Sequence, residues 1–219
     1  ARQQSSPFGT NSGAWSYARD ASSAGLYYSG TGMVRFGYDV TVYTPPGKGS
    51  TTEYQYKFYR TYMNFDTSNI TDSVASASFN CYVDGTTSSN LILAKHEADT
   101  INTNRTYSSY LSGSVQTGGS VGTPISYNDS ATGIVSGLVA GQWNSILMNP
   151  FAYGDMKTED TFHLALIGNR DYKDSRVATD TYGDIRGGLY SGTDYDPYIE
   201  YILVDSKITI KGGQMKILG

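Results

Sequence analysis

The chain has one cysteine, two histidines and 16% charged residues in 219, and no apolar run approaches 18 residues. A lone Cys81 excludes an internal disulfide framework and any CxxC-type zinc or iron–sulfur site, so burial and strand pairing must hold the fold. Runs this short exclude a membrane-spanning helix, and no membrane insertion is expected. A formal charge of −4 and a pI near 5.1 argue against nucleic acid as a partner. There is no Gly-x-Ser-x-Gly elbow, no His-Glu-x-x-His, no phosphate-cradling glycine loop and no dinucleotide fingerprint. The expectation is therefore a protein that is not an enzyme, with no catalytic residue, no metal and no cofactor.

What is present is 20 Tyr and 25 Gly among abundant Ser and Thr. Soluble intracellular domains usually carry about a quarter charged residues, so this balance fits an extracellular, cell-surface or virion-surface location. A start at Ala1, without Met and without a signal-like apolar stretch, is how a secreted chain looks after its targeting peptide is removed; a trimmed fragment looks the same.

Val34, Phe36, Tyr38, Val40 and Val42 alternate with polar or small neighbours, the period of a strand with one buried face. After the Pro- and Gly-rich stretch 44–52, Tyr54, Tyr56 and Phe58 resume the pattern. Ala77, Phe79, Cys81 and Val83 share a face, and Asp84-Gly85 reads as a turn. Further strands are read at 91–95, 143–148, 162–167 and 198–204. Residues 100–130 are either one long connection or several short edge strands. No window of 12 residues keeps an apolar stripe at period 3.6, so helix is expected nowhere beyond one turn over 133–139. The expected core holds Phe36, Val40, Phe65, Phe79, Cys81, Trp143, Leu164 and Leu166. After Val204 the segment 207–218 alternates on both sides of Gly212-Gly213, a hairpin signature whose Ile208, Ile210, Met215 and Ile217 need a cover. That cover is either the chain's own sheet or a neighbour's.

Few residues suggest chemistry. His163 and His96 are far apart in sequence and read as structural, and Cys81 as a small buried hydrophobe. Asp171, Asp174, Asp180 and Asp184, with Asp194 and Asp196, crowd two segments read as loops, yet the D-x-D-x-D-G order that would preorganise calcium ligands is missing. Three N-x-[ST] sequons, at Asn69, Asn104 and Asn128, fall in segments read as loops and are candidate glycosylation acceptors. Tyr27, Tyr28, Tyr107, Tyr110, Tyr153, Tyr172 and Tyr182 lie near loop signals, where exposed rings could stack on sugars or pack an interface.

The run Arg60-Thr-Tyr-Met-Asn-Phe-Asp-Thr-Ser-Asn-Ile70, followed by Ser76-Ala-Ser-Phe79, resembles a β-sandwich module of bacterial, archaeal and phage surface proteins, with the pattern R-x-x-x-x-F-D-T-S-x-I and then S-A-x-L. Residues 14–22, 162–171 and 188–200 continue the likeness, so it covers about residues 14–204. These modules are the DNRLRE type, some classed as carbohydrate-binding; the resemblance implies a jelly-roll-like sandwich in a surface protein and carries no active-site residue across.

The expected fold is all-β, an antiparallel jelly-roll-like sandwich with terminal extension strands. A flexible segment covers 1–13, the sandwich 14–204, and a C-terminal hairpin or donor-strand extension 205–219. The expected role is a structural subunit of an extracellular helical filament or surface fibre. It would be a homopolymer joined head to tail by strand donation, with Ile208, Ile210, Met215 and Ile217 as the assembly residues. The alternative is a carbohydrate-binding module or phage tail-associated adhesion protein, with glycans as partners.

Overall fold

A computed structural model of the chain describes residues 2–19, 26–27, 33–47, 51–86, 90–96, 125–128, 137–173, 175–176, 178–186 and 194–204. The strands are β1 (Arg2–Ser5), β2 (Leu26–Tyr27), β3 (Met33–Tyr43), β4 (Glu53–Asp66), β5 (Val74–Thr86), β6 (Leu91–Lys95), β7 (Gln142–Leu147), β8 (Thr161–Gly168), β9 (Thr181–Arg186) and β10 (Tyr198–Leu203). Among the described residues three helices interrupt them: α1 (Asn11–Arg19), α2 (Pro150–Thr158) and α3 (Asn169–Tyr172). Every described strand pairing is antiparallel, and the all-β class holds.

The main path runs β10-β5-β9-β3-β4-β1-β2, with β7 on the other side of β5 and a second wing of β4, β8 and β6. Strand β4 belongs to both wings. Its first half pairs with β3 and β1, and from Thr61 onward it pairs with β8. The change of partner shifts the phase of its alternation. Tyr56 and Phe58 are buried in the first half, Arg60, Thr61 and Tyr62 are buried in succession, and Met63 and Phe65 then pack against the main core.

That core draws Phe36, Phe79, Cys81, Val83 and Ile185 from the longer path and Leu91, Leu93, Phe162, Leu164 and Leu166 from the other wing. The sheet therefore curls until its wings face each other across one apolar layer. Glycine permits the closest approach: a Cβ on Gly168 would stand 2.8 Å from the Cα of Gly37. A second cluster, Ala14, Trp15 and Ala18 on Tyr38, Tyr56 and Phe58, sits between α1 and the β3–β4 hairpin. Trp15 meets those three rings at 5.0, 5.1 and 4.8 Å, all edge-on, the geometry that aromatic quadrupoles favour.

Several expectations change. Arg2–Ser5 pairs with β4 and Asn11 opens a helix, where the sequence suggests a flexible segment over 1–13. Helix α1 starts because Thr10 caps it, accepting the Gly13 N–H at its Oγ1 and the Ala14 N–H at its carbonyl. In α2, Asn149 accepts the N–H groups of Phe151 and Ala152 and Pro150 fills the first turn, while Ala152 and Met156, four apart, face the core. Residues 137–139 are not helical. Asp84-Gly85 does not turn the chain: β5 continues to Thr86 through a register shift between Val83 and Gly85, a bulge. Trp143 is 39% exposed rather than in the core, because Ile146 and Met148 are the inward residues of that segment. Val40 and Phe65 are half-buried at the margin of the apolar clusters.

Candidate functional site

Of the Arg60–Ile70 run, Arg60, Thr67 and Ile70 are buried, whereas Asp66 and Ser68 are exposed. The Arg60 guanidinium donates from Nε and one Nη to both oxygens of Asp171 at 2.6 Å each, fully inside the protein. Asp66 accepts from the backbone and hydroxyl of Ser68, and this hydroxyl bond first, then the backbone bond, holds its carboxyl below the ordinary value. Thr67 donates its hydroxyl to the Glu159 carbonyl, tying the end of β4 to the end of α2, and Ile70 enters the core.

The other nominated groups scatter. Asp171 is spent on Arg60, Asp184 on Arg35, and Asp180 accepts the Val40 N–H, so the acidic run lines several elements and does not converge; Asp184 lies in β9, not in a loop. Asp174 lies outside the described residues. The Cys81 thiol is buried, and burial pushes its pKa up to about 12. Asn69 is exposed in a turn, where a glycan has room. Asn128 is 3% exposed and its carboxamide accepts the Leu93 N–H and donates to the Leu91 carbonyl, so it is a strand-bridging residue and not the surface acceptor its sequon suggests. Asn104, Tyr28, Tyr107, Tyr110 and the assembly residues Ile208, Ile210, Met215 and Ile217 lie outside the described residues, and Tyr27 falls in β2. Tyr153 donates to the Met148 carbonyl, Tyr172 packs on the outer apolar patch of β6 and β8, and Tyr182 lies under the Arg35 guanidinium at 3.7 Å.

The two histidines, distant in sequence, meet. His96 at the end of β6 and His163 in β8 have ring centres 5.0 Å apart; His96 Nε2 lies 3.2 Å from the Met63 carbonyl and His163 Nδ1 3.2 Å from Asn64 Oδ1. Both are buried, and both have backbone or carboxamide neighbours that explain their positions.

The feature with an open face is the outer surface around β5. Phe79, Cys81 and Val83 point into the core, so Ser78, Asn80, Tyr82 and Asp84 point away from it. Beside them in register stand Trp143, Ser145 and Leu147 of β7 and Tyr198 and Glu200 of β10. Trp143 contacts Tyr198 at 5.4 Å and Tyr82 at 6.1 Å, and Tyr82 contacts Tyr195 at 4.7 Å. Arg186 lies over Tyr82 and Tyr195 at 4.5 and 4.1 Å while donating to Asp84. Further along, Arg35 pairs with Asp184 at 2.7 Å and with Asp39, which also accepts from the Tyr59 hydroxyl. The Asp184 bond raises the Arg35 pKa although burial opposes it; burial first, then the bond to Asp39, raises that of Tyr59.

This face ends in β10, which among the described residues pairs with β5 alone. Its side chains are apolar and open: Tyr198 is 48% exposed, Tyr201 41%, Ile202 64%, Leu203 39% and, just beyond, Val204 44%, with Leu147 of β7 at 49%. An edge strand offers unpaired backbone donors and acceptors, and sheet proteins ordinarily blunt such an edge with charge. Here the edge has one, Glu200. The signal for it in the sequence is the run Tyr-Ile-Glu-Tyr-Ile-Leu-Val, apolar on both faces where a half-buried strand alternates. Protein-family models and the curated proteins contain no match to this chain.

Proposed function

We propose that the chain is a structural subunit of an extracellular filament or surface fibre, assembling head to tail by strand donation between β-sandwich protomers. The observation that supports it most is the β10 edge, where Tyr198 and the run Tyr201–Val204 are left open and, among the described residues, β5 is the one strand paired with β10. A donated strand pairs with such an edge through its main chain and seats alternate side chains against the acceptor. The sequence that follows β10 has that alternation in Ile208, Ile210, Met215 and Ile217, and its Lys207, Lys211 and Lys216 would meet a body of net negative charge. A contact between two different surfaces propagates as a helix unless its rotation closes a ring. Electron microscopy of the intact chain beside a version truncated after Asp205 tests this. Filaments from the first and none from the second support donation by this segment; monodisperse particles from both sink the filament reading.

A second reading is favoured by the Trp143, Tyr198, Tyr82 and Tyr195 group beside Arg186 and Asp84, an aromatic surface with polar groups at its margin on which sugar rings could stack. It would suit a carbohydrate-binding or adhesion module, the role some modules of the resembling type have. A glycan array showing retention that Trp143→Ala abolishes would support it, and a blank array would remove it.

A further inference from the structure

We propose that β1, α1 and β2 form one arm that is exchanged between copies of this chain, docking on the β3–β4 hairpin of a neighbour as it docks on its own here; this rests on the filament reading and sets the N-terminal arm in place of the segment after β10 as the element that is passed across. Three observations carry it. The arm's apolar anchors, Ala14, Trp15 and Ala18, form with Tyr38, Tyr56 and Phe58 a cluster that shares no residue with the main core, and among the described residues the main core holds none from the arm. The body therefore keeps its own apolar layer whichever copy supplies the arm.

The arm is also held by the bonds a donated strand makes. Strand β1 lies along β4 in register, Arg2 opposite Arg60 through Ser5 opposite Lys57, and the line continues as Ser6 N–H to the Tyr56 carbonyl and reciprocal Gly9 and Tyr54 bonds. Ser6 Oγ accepts the Tyr56 N–H as well, and β2 pairs with β1, so the two strands and the helix travel as a unit. These contacts are the same within one chain or between two, which makes exchange of an identical element a low-cost route to association.

Lastly, the arm joins β3 through Tyr28-Ser-Gly-Thr-Gly32. Six Cα steps from Tyr27 to Met33 reach about 20 Å at full extension, a bound set by covalent geometry alone. An arm given to one neighbour while another is received from a second produces an open series, and mutual exchange produces a closed dimer.

The test uses two full-length variants, both carrying Cys81→Ser: one with Ser5→Cys and one with Lys57→Cys, residues that face each other across β1 and β4. They are mixed, allowed to assemble and oxidised. Exchange predicts a mixed covalent dimer on a non-reducing gel, at least tenfold more abundant than any dimer from either variant alone. The Ser5→Cys/Lys57→Cys double variant, which closes within one chain when dilute if the fold is intact, should give a covalent ladder when assembled. Polymers whose double variant closes only within chains overturn the exchange and leave the filament reading standing, with the C-terminal segment as donor. Particles that stay monomeric, with closure only within chains, overturn both.

Discussion

The Arg60 guanidinium and the Asp171 carboxylate meet as a two-point fork with neither side chain more than 2% exposed, one from the middle of β4 and the other from the short helix α3. Removing one partner strands the other's charge away from water. Asp171→Ala is therefore expected to cost about 3–5 kcal/mol, and Arg60→Met/Asp171→Leu to cost much less than Asp171→Ala alone. Urea denaturation of the three chains checks it. Equal losses in the single and double variants would show that the fork is not what the site depends on.

Three glycines differ in what a methyl group would meet. On Gly37, at φ +99°, a Cβ would stand 2.1 Å from the Thr181 carbonyl oxygen, and on Gly183 it would stand 2.4 Å from the Phe36 ring; on Gly47, at φ +82°, it would meet nothing within 4 Å. Gly47→Ala should cost about 1–2 kcal/mol, the price of a left-handed residue. Gly37→Ala should cost clearly more, and Gly183→Ala about 1–3 kcal/mol through displacement of Phe36. Thermal unfolding that ranks Gly47→Ala as the worst of the three would contradict this.

The Cys81 thiol gives a pH test whose sign is fixed. Burial raises its folded pKa from the ordinary 9.0 to about 12. The unfolded chain therefore ionises first as pH rises. Its contribution is fully present below pH 9 and is lost between 9 and 12. Cys81→Ala should flatten the fall of stability over that window relative to the parent. A thiol reagent at pH 8 should label the native chain at least a hundredfold more slowly than the urea-unfolded chain; rapid native labelling would show the thiol is accessible.

At the β10 edge, Ile202→Lys places a charge on the most exposed apolar side chain of that strand without touching the core. Stability should change by no more than about 0.5 kcal/mol, while polymer formed at equal concentration, measured by sedimentation, should drop at least tenfold. A variant that assembles as well as the parent would place the contact elsewhere.

How far the sequence reveals this fold depends on how local the cause is. Strands β6 and β10 are legible to within a residue because their apolar runs are short and bounded by turn residues. Strand β9 is hidden because Asp184, which looks like a loop residue, is the outward partner of Arg35. The helices are hidden because each buries at most three of its described residues, although Asn149-Pro150 is a readable start signal for α2. Trp143 could have been placed by parity, since Ile146 and Met148 face inward; its size argues the other way. The meeting of His96 with His163 and the fork of Arg60 with Asp171 join residues 67 and 111 positions apart, and no local periodicity encodes such pairs. The aromatic face around β5 is likewise assembled from three strands distant in sequence.

One strand serving both wings leaves no seam between them. Melting either wing removes partners from β4, and β4 cannot release one half while holding the other without exposing Arg60, Thr61 and Tyr62 together. The two wings should therefore behave as one cooperative block, with the slowest amide hydrogen exchange in the molecule at the middle of β4. Under tension, the load from one wing passes to the other along a single continuous backbone, and a fibre built from such blocks would yield at its joints before its subunits come apart.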